Sequence, residues 1–248
     1  MTTLTEIRRW TRALLAENEH LVLVKRHVVI EPVRHMLRGI FIDYTSDQSR
    51  VQLHCHVAPL FAPPSQGRVF SWTTPARIPA TDDPAFAMEF LATCRRVIDT
   101  KLARIDSIAA FLDESSKMAD RAFGSVPVQQ VYRTHGLLLA ALGHFEEARA
   151  AFGPLKRDQL YFERQLEEGE ALQARSPRRR IGAFLVRQAS TNLAAIRHYG
   201  ELVDLIEAKN WVAVGALLRQ WEAFQVRQWE IEHLWTPTPF PLEIGMGG

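Results

Sequence analysis

The sequence predicts an α+β protein: an N-terminal helix plus a small antiparallel β-meander, followed by an all-helical half. Three observations carry this. Apolar residues recur at helical spacing through the first sixteen positions. Alternating, β-branched runs separated by turn residues come next, and from Asp83 onward the apolar spacing is three to four residues throughout. The expected organisation is 1–80 helix plus meander, 81–125 long helix and connector, 126–235 helical region, and 236–248 a tail rich in proline and glycine.

At 248 residues, with 47% hydrophobic and 23% charged side chains, the chain can build a substantial core in one large or two small domains. Thirty basic against 28 acidic residues leave no global field directed at nucleic acid or a membrane. Residues 1–80 hold 10 basic and 6 acidic side chains and the remainder 20 and 22, which supports a division between the halves. The two cysteines, Cys55 and Cys94, exclude a disulfide scaffold and a four-cysteine zinc site. Charges at Glu6, Arg8, Arg9 and Arg12 break any signal-peptide core, and no apolar run nears the ~18 residues of a membrane helix. A cytoplasmic chain without membrane contact is expected.

Thr3 and Glu6 form a capping box, and Leu4, Ile7, Trp10 or Thr11, Leu14 and Leu15 then make one helical face. Leu21–Val24 and Val28–Ile30 are β-branched-rich, ending at Glu31-Pro32. Ile40–Tyr44 and Val51–Val57 alternate around a Thr45–Ser49 turn, which forces a register with Phe41 opposite His54, Asp43 opposite Gln52 and Gly39 opposite His56. Gly67–Trp72 reads as a further strand. Asp83-Pro84 opens a helical pattern nearly 30 residues long that should break near Ala103, and Ser115–Pro127 is the candidate boundary.

Tyr132, His135-Gly136, Leu139, Ala148 and Phe152 fall at the offsets of a tetratricopeptide repeat, with Gly143-His144-Phe145 as the inter-helix turn. The segment around 129–156 therefore resembles one tetratricopeptide-type helical hairpin, which implies a TPR-like helical half. Gly136 and Ala148 would be small because two helices approach there, while Tyr132 and Phe152 fill the adjoining gaps. Sixty-six residues later Lys209-Asn210-Trp211 stands where Gly143-His144-Phe145 stood, although Leu202 replaces Gly136. A generic αα-hairpin is the alternative. A second, fainter resemblance rests on Arg38-Gly39-Ile40-Phe41, Val51–His56, Pro59-Leu60-Phe61 and Leu217–Glu222. These look like uncharacterised bacterial cytosolic proteins of immunity or accessory type, and carry over no functional residue.

His54 and His56 lie two apart on one strand, so their rings share a face, as metal ligands on strands do; Asp43 lies diagonally near His54, and His27 is a candidate third donor. A covered polar sheet face is the plain alternative. Arg175, Arg178, Arg179 and Arg180 form the densest charge cluster, at a helix start where three arginines oppose the dipole. Nearby Glu167, Glu168 and Glu170 or an anionic partner would offset them. Trp221 and Trp229, eight apart, share a helical face that reads as core, and Thr236–Pro241 should be extended. Nucleophile elbow, P-loop, dinucleotide fingerprint, H-E-x-x-H and C-x-x-C are all absent from the sequence. The expected function is protein–protein recognition, as an immunity-type or adaptor protein binding a toxin or complex component, with no catalytic residue and no cofactor. The alternatives are a metal-dependent or acid–base enzyme at His54/His56, and a phosphate or nucleic-acid binder at Arg175–Arg180.

Overall fold

Thr3 caps the first helix in the computed structural model: the Glu6 amide donates to its hydroxyl (3.2 Å) and its own amide to the Glu6 carboxylate (2.8 Å). Residues 3–47, 49–64, 70–73, 78–121, 128–176 and 180–244 are described, with backbone alone at 70–73, 118–121 and 128–130. The fold is α+β, and the chain divides into two compact units, 1–60 with 68–111 and 226–238, and 61–67 with 112–225 and 239–248. Among the described residues no helix is long and apolar enough to cross a membrane.

The first unit opens with α1 (Leu4–Glu17), which buries Ile7, Trp10, Thr11 and Leu14. Five strands follow in an antiparallel meander: β1 (Leu21–Val24), β2 (His27–Ile30), β3 (Met36–Tyr44), β4 (Val51–Pro59) and β5 (Phe70–Thr73). The β3–β4 register is the one the alternation dictates, with Gly39 opposite His56, Phe41 opposite His54 and Asp43 opposite Gln52. Gly39 is required by packing, because a Cβ there would lie 2.3 Å from the Val28 carbonyl oxygen of β2. One sheet face carries the buried Val28, Ile40, Ile42, Leu53 and Cys55. On the other, Val29, Leu37 and Ala58 pack with Val226, Ile231 and Leu234 from the chain's last quarter. The Val33 amide donates to the Leu234 carbonyl and the Thr236 amide to the Val33 carbonyl (3.2 and 2.7 Å), which fixes that covering segment.

The long helical pattern after Asp83 breaks where expected. α2 (Phe86–Thr100) gives way to a 3-10 turn at Leu102–Arg104 before α3 (Ile108–Arg121). Arg38 on β3 satisfies the carbonyls exposed there, donating to Leu102 (3.3 Å) and Ile105 (3.1 Å). Trp10 meets Phe86 edge-on at 5.0 Å between ring centroids, and Arg95 of α2 clamps Glu17 of α1.

The second unit is helical: α4 (Val128–Leu142), α5 (Phe145–Ala151), α6 (Leu155–Arg175), α7 (Arg180–Glu207), α8 (Trp211–Trp229) and α9 (Pro241–Ile244), α8 giving its last turn to the first unit. α4 and α5 form a hairpin turned by Gly143 at φ 84°, and α7 passes to α8 through Lys209 at φ 53°. In each turn the amide after the positive-φ residue closes back on the helix: His144 to the Leu139 carbonyl, Asn210 to that of Leu205, both 3.0 Å. The residues that follow, Phe145 and Trp211, stack face to face at 3.9 Å. The 66-residue echo in the sequence is thus a pair of like turns in contact.

Gly136 lies against the Phe152 ring, whose atoms would be 2.8–2.9 Å from an added Cβ, while Ala148 and Phe152 are buried and Tyr132 is half-buried. In an open helix Gly→Ala gains up to about 1 kcal/mol; here the methyl must displace a ring that is itself fixed against Tyr199 (5.3 Å). Gly136→Ala is therefore expected to destabilise the protein by about 1–3 kcal/mol. Gly200→Ala, where an added Cβ meets nothing within 4 Å, should leave stability equal or raised. Urea midpoints of the two variants check the contrast.

Residues 236–240 hold no helix, and the run expected to be extended gives way to a helix only at its last residue. Pro241 suits the first turn of a helix, and the Glu243 carboxylate accepts from the Phe240 amide (2.7 Å) and from Arg219 (2.6 and 2.7 Å), so Pro241–Ile244 coil into α9. Gly247 and Gly248 lie outside the described residues.

Candidate functional site

Three places gather the chemically interesting side chains, and the sheet face is the first. His54 and His56 project from one face of β4, and His54 Nε2 lies 3.8 Å from Asp43 Oδ2, the diagonal contact expected. His27, opposite Phe41, stacks on that ring at 4.7 Å and meets His56 edge-on at 4.9 Å; Trp229 lies over both. His56 is 1% exposed, and neither of its ring nitrogens has a hydrogen-bond partner. Burial holds His56 down to about 3, with His27 and His54 adding to it and the His54 backbone opposing. Burial, then Lys25 and Arg26, holds His27 down to about 4. Both rings are thereby held uncharged near neutral pH, His56 enclosed and His27 half-buried beside the Trp229 indole. Among the described residues, no three His, Cys, Asp or Glu side chains converge as a metal site, His54, His56 and Asp43 included. Cys55 and Cys94 are buried, and burial pushes both thiols up to about 12, far from the thiolate a nucleophile needs.

The arginine turn comes second. Arg175 ends α6 and Arg180 begins α7, both exposed; Arg178 and Arg179 lie outside the described residues. Among the described residues neither Arg175 nor Arg180 pairs with Glu167, Glu168 or Glu170, while Ile181 and Phe184 beside them are 63% and 57% exposed. Replacing Arg175 and Arg180 together with Gln should change stability by less than about 1 kcal/mol, as for exposed charges, in thermal or urea unfolding.

The third place was not singled out in the sequence. α6 and α7 lie antiparallel and close where Gly169 meets Val186 and Gly182 meets Gln173, each added Cβ falling about 2.9 Å from the facing helix. Away from that contact an open groove of about 1000 Å³ runs between α5 with the first half of α6 on one side and the second half of α7 on the other. Its floor is apolar, from Phe152, Leu155, Leu193, Ile196 and Val203. Arg149, Lys156 and Glu163 stand on one rim, and Arg197, Glu201, Asp204 and Glu207 on the other, so a net positive rim faces a net negative one.

Comparison with protein-family models, curated proteins and solved structures finds no match.

α4, α6 and α7 together hold a buried polar cluster that sequence reasoning also missed. Tyr132 donates its hydroxyl to Asp158, Arg133 Nη2 donates to the same carboxylate at 3.0 Å, and Arg133 Nη1 donates to Asn192 Oδ1 at 3.2 Å. Arg133 and Asp158 are 5% and 6% exposed. Burial and the bond to Asp158 push the Tyr132 phenol up to about 12, and burial raises that of Tyr199 further. A signal for this cluster was present: Arg133 lies in line with Leu137, Ala140 and Ala141, on the buried stripe of α4.

Proposed function

We propose that this chain is a protein-recognition module, an adaptor or immunity-type protein, that holds a segment of its partner in the α5–α6/α7 groove. One observation carries the reading: an open groove with an apolar floor and rims of opposite net charge, in which Gly200 leaves space where any other residue would place a side chain. Such a surface offers desolvation at its centre and charge selection at its edge, which is how recognition surfaces divide affinity from specificity. The likeness of the α4–α5 hairpin to a tetratricopeptide unit points the same way, since stacked helical hairpins present extended grooves to partner segments. A second reading, an anion-binding function at Arg175–Arg180, is favoured by the exposed arginines beside Ile181 and Phe184.

Gly200→Trp tests the first reading. The indole fills the groove from a helical position that has room for it, so folding is retained and binding is lost. A partner recovered with the full-length wild-type chain and with Gly200→Ala should be lost with Gly200→Trp. Equal recovery with all three refutes the groove; recovery that fails on replacing Arg175 and Arg180 moves the site to the arginine turn.

A further inference from the structure

The occupant of the groove can be specified further, on the reading that the groove is the recognition site. We infer that it takes an amphipathic α-helix of about four turns, basic on the flank facing α7 and acidic on the flank facing α5 and α6.

Size is the first argument. The α7 wall runs from Leu193 to Glu207, which at the helical rise is about 21 Å. A helix of that length with a diameter of about 10–12 Å, sunk to its axis, displaces roughly 800–1200 Å³. The groove measures about 1000 Å³. An extended segment would fill less of the width, and the walls are helices throughout, with no strand edge to pair its backbone. A small ligand in so open a trough would keep more of its surface in water than ligand pockets allow.

Charge is the second. Asp204 and Glu207 stand in the last turns of α7, which holds no basic residue in its last turn, so they meet the negative end of the helix dipole. Lys156 stands in the first turn of α6, against that helix's positive end. Among the described residues Lys156, Glu201, Asp204 and Glu207 make no ion pair, whereas Arg149 pairs with Glu146 at 3.3 Å, and Glu163 and Arg197 also line the groove. Charges set against their own helices and aimed at one trough are offset by an occupant of the opposite pattern. Lys or Arg on the occupant faces Glu201, Asp204 and Glu207, and Asp or Glu faces Arg149 and Lys156. Apolar residues at i, i+3, i+4 and i+7 meet Phe152, Leu155, Leu193 and Ile196.

The probe is a displayed library of random sixteen-residue peptides selected on the immobilised full-length chain. Expected winners carry the helical apolar period with the two charge flanks, and gain helicity on binding by circular dichroism. Their affinity should fall at least about tenfold with Gly200→Trp, and about tenfold with Glu201→Lys plus Asp204→Lys. Peptides whose basic flank is switched to acid should regain affinity for the charge-reversed chain. Winners without helical period that Gly200→Trp still excludes overturn the helical occupant and leave the groove standing. Winners indifferent to Gly200→Trp, or no winners, overturn both.

Discussion

Lowering the pH from 7 to 5 will cost the sheet unit about 4 kcal/mol of stability, because His27 and His56 fold as neutral rings. In the unfolded chain each imidazole takes up its proton near pH ~6.5. In the folded chain burial delays that to about 4 for His27 and about 3 for His56. Between those values the unfolded chain binds protons that the folded chain refuses, so stability is whole above the unfolded value and falls as pH drops through it. Each ring contributes a slope of about 1.4 kcal/mol per pH unit.

The surroundings give little relief, the His54 backbone alone favouring a charge on His56. Lys25 and Arg26 oppose a charge on His27, His27 and His54 oppose one on His56, and the Asp43 carboxylate lies beside His54 rather than the buried pair. Most carboxylates remain ionised over this range, so the loss isolates the histidines. Urea unfolding at half-unit pH steps measures it, and His27→Phe, whose ring can keep the stack on Phe41, should halve the slope. A stability that stays level from pH 7 to 5 would mean that the rings are hydrated and chargeable in place.

Local pattern made the sheet legible and sequence distance hid what covers it. Alternation in Ile40–Tyr44 and Val51–Val57 left one workable register, because a one-residue slip would turn Ile40, Ile42, Leu53 and Cys55 to the other face. The same logic put His54 and His56 side by side. It could not supply Trp229, which arrives more than 170 residues later and turns His56 from a candidate ligand into an enclosed ring. The Gly143 and Lys209 turns were visible as an echo, yet the stacking of Phe145 on Trp211 required the helices between them to be placed. A groove is less legible again: Leu193, Gly200 and Lys156 carry no common motif, and become one surface only when α6 and α7 cross at Gly169 and Gly182.

Asp158→Asn is expected to cost about 3–5 kcal/mol. The carboxylate lies in the first turn of α6, favoured by the helix dipole, and accepts from both Tyr132 and Arg133. With the amide in its place the Arg133 guanidinium stays 5% exposed with no counter-charge, its Nε already without a partner. Its remaining contacts, Asn192 Oδ1 at 3.2 Å and the rings of Tyr132 and Phe162 at 5.8 and 5.9 Å, are too weak to hold it there. Relief requires either dragging the side chain to water, which opens the α4–α6 contact, or leaving the charge buried. Asp158→Leu with Arg133→Met removes both charges together, and since a buried pair contributes little net stability, the double variant should recover most of the loss. Urea unfolding of the two single variants and the double gives the coupling directly. If Asp158→Asn unfolds within about 1 kcal/mol of wild type, the pair is solvated and the cluster is no part of the helical unit's core.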